Sequence, residues 1–302
     1  GDVFVIQSLL NRRLPKPHTE VPVTGTMDPG TILAIKAFQA VVNPGDEVLL
    51  PAPYWTTYPE AIALADGIPV GVFAGADQDY KGTVEQLEAA RTPRTTVLVF
   101  VSPSNPTGTI LSATALVDVT ATCRARGIAV IADEIYHGIV DGAPAARILD
   151  VHPDAVVVNS FSKYWSMTGW RVGWMVVPES VVETVERLQQ NLYICAPHVS
   201  QVAALAALDA TEELDGHVAR YRQNRTIVID GLAAAGITDI APADGAFYVY
   251  AHVPHLTTAL GIDSLELTRR WLHEAGVAAT SGIDFDLARG HEYVRFSYAG
   301  AG

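Results

Sequence analysis

The chain has 302 residues, 49% hydrophobic and 18% charged, with 20 Lys+Arg against 33 Asp+Glu for a formal charge of −13. That length fits one large or two ordinary domains, and the low charged fraction excludes an intrinsically disordered chain. An acidic balance repels phosphate backbones, which argues against nucleic-acid and anionic-membrane partners and points to a small ligand. Cys123 and Cys195 lie far apart without CxxC or HxxxH spacing, so two buried hydrophobes are expected, with no disulfide and no metal site. The sequence has no apolar run of bilayer-spanning length, and GDVFVIQSLLNRRLP lacks the basic-then-apolar layout of a signal peptide; the expected location is the cytoplasm.

In residues 1–39, apolar positions Val3, Ile6, Leu9 and Leu10, and then Ile32, Ile35 and Phe38, fit an amphipathic helix pair. From about residue 46, short unbroken β-branched runs read as strands at 47–51, 96–101, 128–133, 155–160 and 171–177. Unbroken patterning means burial on both faces. Helical patterns at 83–91 and 112–127 lie between them, the second with Ser112 as N-cap and Gly127 as C-cap. This alternation predicts an α/β fold: a three-layer, mainly parallel sheet with helices on both faces, over residues 40–212. Helices at 181–192, 198–210 and 212–235 follow. Strands at 246–253, 277–280 and 292–298 around a helix at 263–276 then predict a smaller α+β domain over 213–302.

Ligands of open α/β sheets lie at the carboxyl ends of the strands. There the sequence places Trp55 in PAPYWTTY, Asn105 in SPSNPTG, Asp133 and Tyr136 in DEIYHG, and Ser160, Lys163 and Arg171 in SFSKYWSMTGWR. Singly, each is equally a cap, turn, core or surface residue. Jointly they match the needs of pyridoxal phosphate, which takes a lysine for its aldehyde, a carboxylate for its ring nitrogen, a flat side chain for its ring face, and cations and hydroxyls for its phosphate.

PGDEVLLPAPYW, SPSNPTG, ADEIYHG, SFSKYWSMTGWRVGW and YVRFSYA, in that order over residues 40–299, resemble the class I/II aminotransferases, the fold-type I pyridoxal-phosphate enzymes. The resemblance implies a pyridoxal-phosphate transferase type I major domain and transfer of an amino group between an amino acid and a 2-oxo acid, in a homodimer. It implies that Lys163 joins the cofactor covalently and then moves the substrate Cα proton, and that Asp133 keeps the ring nitrogen protonated. Tyr136 and Asn105 would bond the ring hydroxyl oxygen, Trp55 would stack on the ring, and Ser160 and Arg171 would hold the phosphate. Asn105 and Arg295 would contact the substrate, Arg295 as a fork on its α-carboxylate. Because cofactor groups alone do not fix which Cα bond breaks, a C–S lyase or synthase stays open, as does a shortened, non-catalytic binding protein of the same fold. A DNA-binding regulator is a further alternative, for which the N-terminus offers Arg12, Arg13 and Lys16 but no room for a full winged module.

The resemblance departs at both ends. About forty residues precede the PGDEV region, without the family's long N-terminal stretch, and the chain stops soon after Arg295. Counting back without gaps puts the family's phosphate cup on Gly30 and Thr31, where helix N–H groups would face the anion, although the preceding Pro29 removes one donor. Residues 2–39 also resemble a peptidoglycan-binding-type helical module, through VFVIQSLLN and VTGTMDPGTILAIKAFQ.

Overall fold

The computed structural model describes residues 38–192 and 194–300. The expected 1–39 segment, the module-like pattern and the Gly30–Thr31 cup therefore lie outside the described residues, apart from a helical stretch at 38–41. A six-stranded sheet is built from β1 (Glu47–Ala52), β2 (Ile68–Phe73), β3 (Thr95–Val101), β4 (Ala129–Asp133), β5 (Val156–Ser160) and β6 (Gly173–Val176), in the order β2-β1-β3-β4-β5-β6. The first five strands pair in parallel. β6 runs antiparallel to β5, since the 161–172 connection is a folded loop without a crossover helix.

Side-chain alternation explains why the inner strands are apolar throughout. Val48, Leu50, Val97, Val99, Val156 and Val158 enter one core together with Tyr58, Ala61 and Ile62 of α1 (Thr57–Leu64). Leu49, Leu98, Phe100 and Val157 enter the other, with Leu87 of α2 (Val84–Ala90) and Leu116, Val119 and Cys123 of α3 (Ala113–Arg126). Each such Val or Leu contributes about 1.5–3 kcal/mol by burial. The three-layer arrangement thus follows from two apolar faces, each needing a helical cover. Capping fixes the helix ends as expected. Ser112 Oγ accepts the Ala115 N–H at 3.1 Å, and Gly127 closes α3 at φ +67°.

α4 (Glu179–Leu192), α5 (His198–Ala207) and α6 (Thr211–Ala234) follow. A second sheet, antiparallel in the order β7-β9-β8, is formed by β7 (Tyr248–His252), β8 (Thr280–Ser281) and β9 (Tyr293–Ser297). It carries α7 (Pro254–Leu260) and α8 (Ser264–Arg270), the latter continuing as a π-helical turn over Trp271–Ala275.

Several elements differ from the sequence reading. α1 and α7 were not expected, nor was the edge strand β2, whose Pro69 and Gly71 weaken its strand signal. Cys123 is buried, and burial pushes its thiol up to about 12, but Cys195 is exposed, in the loop between α4 and α5. No helix among the described residues is long and apolar enough to cross a membrane.

Candidate active site

The carboxyl ends of β1, β3, β4 and β5 converge on a cavity of about 250 Å³, closed on its far side by the small sheet. Trp55, Val101, Asn105, Asp133, Ile135, Tyr136, Ser162, Lys163, Thr168, Arg171, Tyr248 and Arg295 line it. Seven predicted residues are therefore brought together: Trp55, Asn105, Asp133, Tyr136, Lys163, Arg171 and Arg295. Ser160 is not among the lining residues. It is fully buried behind the wall, its one hydroxyl proton set between Ser162 Oγ at 2.9 Å and the Val172 carbonyl at 3.2 Å. Ser162, also buried, takes the place in the lining, just past the end of β5. Among the described residues, no group of three His, Cys, Asp or Glu side chains could hold a metal ion. A smaller cavity of about 50 Å³ between β1 and β3 holds none of the predicted groups.

Asp133 ends β4 and is 4% exposed. Its Oδ1 accepts the Ile135 N–H at 2.9 Å and its Oδ2 accepts the hydroxyl of Tyr58 from α1. A buried carboxylate held by two donors is fixed in direction, aimed into the cavity from the floor. Tyr58 sits one helical turn after Trp55, whose ring meets it edge-on at 5.4 Å, so one short segment supplies both the flat wall and the Asp133 donor.

Lys163 sits in the 161–172 loop, which its own backbone cross-links. Met167 N–H donates to the Phe161 carbonyl at 3.0 Å, Ser166 N–H to the Lys163 carbonyl at 3.0 Å, and Thr168 Oγ1 to the Ser162 carbonyl at 2.6 Å. Lys163 Nζ lies 5.5 Å from the Tyr136 ring centroid and 5.9 Å from that of Phe247. At the loop's end, Arg171 adopts a left-handed backbone with φ +59°, a conformation costing a non-glycine residue roughly 1–2 kcal/mol. Its Nη1 donates to the Thr168 carbonyl at 2.6 Å. Gly138, in the DEIYHG loop at φ +90°, has no room for a side chain: a Cβ there would lie 2.6 Å from the Tyr164 ring. That contact packs the Asp133 and Lys163 loops against each other.

Arg295 reaches the cavity from β9 of the small sheet. Nη1 donates to Asn105 Oδ1 at 2.7 Å, Nη2 to Thr280 Oγ1 at 3.3 Å, and the guanidinium lies over the rings of Tyr248 (4.4 Å) and Phe285 (4.7 Å). Burial lowers its pKa, opposed by Tyr248 and Tyr136, and its buried Nε has no hydrogen-bond partner. A desolvated cation with an unsatisfied donor suits a carboxylate. Tyr136 and Tyr248 share a 3.0 Å hydroxyl contact, and burial raises both pKa values. Tyr58, Ser162, Thr168 and Tyr248 were absent from the sequence-derived set. The spacing of Tyr58 from Trp55 would have signalled the first, and the HPHP alternation of FYVY the last.

A family model described as aminotransferase class I and II matches residues 13–301. Valine–pyruvate aminotransferase of Mycobacterium tuberculosis is 40% identical over 289 residues, covering 94% of this chain and 72% of that protein. Aspartate aminotransferase of Streptomyces avermitilis is 41% identical over 279 residues, covering 87% and 67%. The crystal structure of an aminotransferase from Mycobacterium tuberculosis superposes with a TM-score of 0.85 at 38% identity, covering 99% of this chain and 77% of that one.

Proposed function

The chain belongs to the class I and II aminotransferases, enzymes that move amino groups between amino acids and 2-oxo acids, and from that premise we propose that the 250 Å³ cavity binds pyridoxal 5′-phosphate and substrate together. One observation carries this reading: Lys163, Asp133, Arg171 and Arg295, an amine, a buried carboxylate and two guanidiniums, line a single cavity in a chain that is otherwise acidic. The donor set fits the cofactor. Asp133 matches a protonated ring nitrogen, Trp55 and Ile135 offer faces for a flat ring, and Arg171 with the Ser162 hydroxyl matches a phosphate.

When bound, the cofactor supplies an aldehyde carbon for the amino group and a ring that withdraws electrons from the substrate Cα. The protein's share is positioning and proton transfer. Lys163 Nζ holds the cofactor and then takes the proton from substrate Cα, a role suited to an amine set against the rings of Tyr136 and Phe247. Asp133, held by Tyr58 and the Ile135 N–H, keeps the ring nitrogen protonated. Ser160 stands behind Ser162 on the phosphate side, its Oγ donating to Ser162 Oγ. Arg295 grips the α-carboxylate as a fork, with Asn105 fixing its angle, so that the Cα–H bond is oriented for cleavage. In this division, residues 40–212 hold the cofactor and residues 213–302 bring the carboxylate grip.

We further infer a homodimer. Ile194, Val199, Val202, Leu205 and Leu208 are all more than half exposed between residues 194 and 208, apolar surface that a second copy of the chain would cover. Light scattering on the purified protein reads this directly.

The test of function is incubation with an amino acid and 2-oxoglutarate. Glutamate formation is expected; pyruvate and ammonia without an acceptor would assign elimination instead. Borohydride reduction should bleach the visible-edge absorbance and leave a cofactor adduct on Lys163, and an adduct elsewhere would overturn the site.

A further inference from the structure

Tyr248 touches both the carboxylate grip and the tyrosine beside Lys163. It opens β7, where its ring stands diagonally across the antiparallel ladder from Arg295, whose direct partner is Tyr250. The Arg295 guanidinium rests on the Tyr248 ring at 4.4 Å, while the Tyr248 hydroxyl meets that of Tyr136 at 3.0 Å. Tyr248 is only 6% exposed and its ring is wedged edge-on against Phe247 and Tyr136, at 4.8 and 5.8 Å between centroids. It has no freedom to serve one neighbour and abandon the other.

We propose that Tyr248 is a positioning residue with two separable tasks: its ring face aims Arg295 at the substrate carboxylate, and its hydroxyl donates to Tyr136 so that Tyr136 donates in turn into the cavity. The second task follows from hydrogen-bond direction. A phenol has one proton, so a Tyr136 hydroxyl that gives its proton to the cofactor's ring oxygen can only accept from Tyr248. A donor chain of this kind is cooperative, each bond polarising the next. The buried Arg295 gains from the ring because a desolvated guanidinium over an aromatic face is attracted by its quadrupole and held at a fixed tilt. Since β7 belongs to the small sheet and Tyr136 to the loop that follows β4 of the large one, Tyr248 also keys the small sheet to that loop at the cavity.

This inference rests on the reading of the cavity as the cofactor and substrate site, and the experiment separates the two. The cofactor-loaded wild type is first titrated from pH 5 to 10 by absorbance; failure to load, or a band that does not titrate, overturns the site reading itself. With a titrating wild type in hand, Tyr248→Phe keeps the ring and removes the hydroxyl. Weaker donation from Tyr136 leaves more electron density on the ring oxygen to hold the neighbouring proton, so the absorbance midpoint should rise by several tenths of a pH unit. Its kcat should fall several-fold while KM for the amino acid stays within about twofold. Tyr248→Leu removes both features and should add a rise of tenfold or more in KM. Equal KM values in the two variants, or a Tyr248→Phe midpoint equal to wild type, would overturn the proposal, and Tyr248→Phe alone decides it if the leucine variant fails to fold.

Discussion

The two walls of the cavity are built on opposite principles. On the large-sheet side, Asp133 stands at the very end of β4 and Lys163 and Arg171 on the loop after β5, where hydrogen bonds to nearby backbone fix each turn. On the small-sheet side, Arg295 and Tyr248 lie within strands, placed by register and held by aromatic faces. Loops give chemical variety at one point, because a few residues can present an amine, a hydroxyl and a guanidinium in succession. Strands give rigidity across distance, which suits a grip that must hold one angle.

Removing Lys163 should break the loop side outright. Lys163→Ala is expected to lower kcat by about four orders of magnitude or more, since it deletes both the attachment point and the proton carrier, and borohydride should then trap no adduct at this position. Arg295→Lys tests the strand side and should behave differently. It retains the charge but loses the fork, so KM should rise by about 10²-fold with a smaller change in kcat, read by steady-state kinetics. Equal losses in kcat and KM for the two variants would erase the distinction between the walls.

Tyr58→Phe sharpens the loop side. It removes the hydroxyl that Asp133 Oδ2 accepts while keeping the ring packed against Trp55 and Phe38. Loss of a hydrogen bond to a buried charge, about 1.5–3 kcal/mol, predicts a fall in kcat of about ten- to a hundredfold with the melting temperature changed by a few degrees. The smallest effect is expected at the amino end of the same sheet. Glu47 starts β1, where its Oε1 accepts from Arg94 Nη2 at 2.6 Å and its Oε2 from Thr92 Oγ1 at 2.5 Å. The Thr92 hydroxyl first, and then Arg94, lower its pKa below the usual 4.5. A lowered carboxylate stabilises the fold above its unfolded pKa and ceases to do so as pH falls through the folded value. Glu47→Gln should therefore leave turnover intact and cost about 1–2 kcal/mol near neutrality, and the gap in melting temperature from wild type should narrow below pH 4.5.

The same contrast governs how much of the molecule could be read in advance. Asp133, Lys163 and Arg171 were legible because each stands at a fixed step after a β-branched run, so strand end and chemistry are adjacent in the chain. Asn105 was legible as a loop amide, but its actual partner, Arg295, is 190 residues away and no local pattern links them. β2 escaped because an edge strand tolerates proline and glycine that a central strand does not, and its weak pattern says as little about pairing as about burial. Cys195 was expected inside from residue type alone, which is a tendency of cysteine and not a property of that loop.

By itself the sequence determined the alternation of apolar strands and capped helices, and with it a layered parallel sheet whose reactive groups gather at one edge, because periodicity and capping are encoded over a few residues. Tertiary structure alone decided the antiparallel return of β6, the donor from Tyr58 to Asp133, and the wedge of Tyr248 between Arg295 and Tyr136. Those depend on register and on which loop packs on which, and such choices are made by side chains far apart in the chain competing for the same buried space.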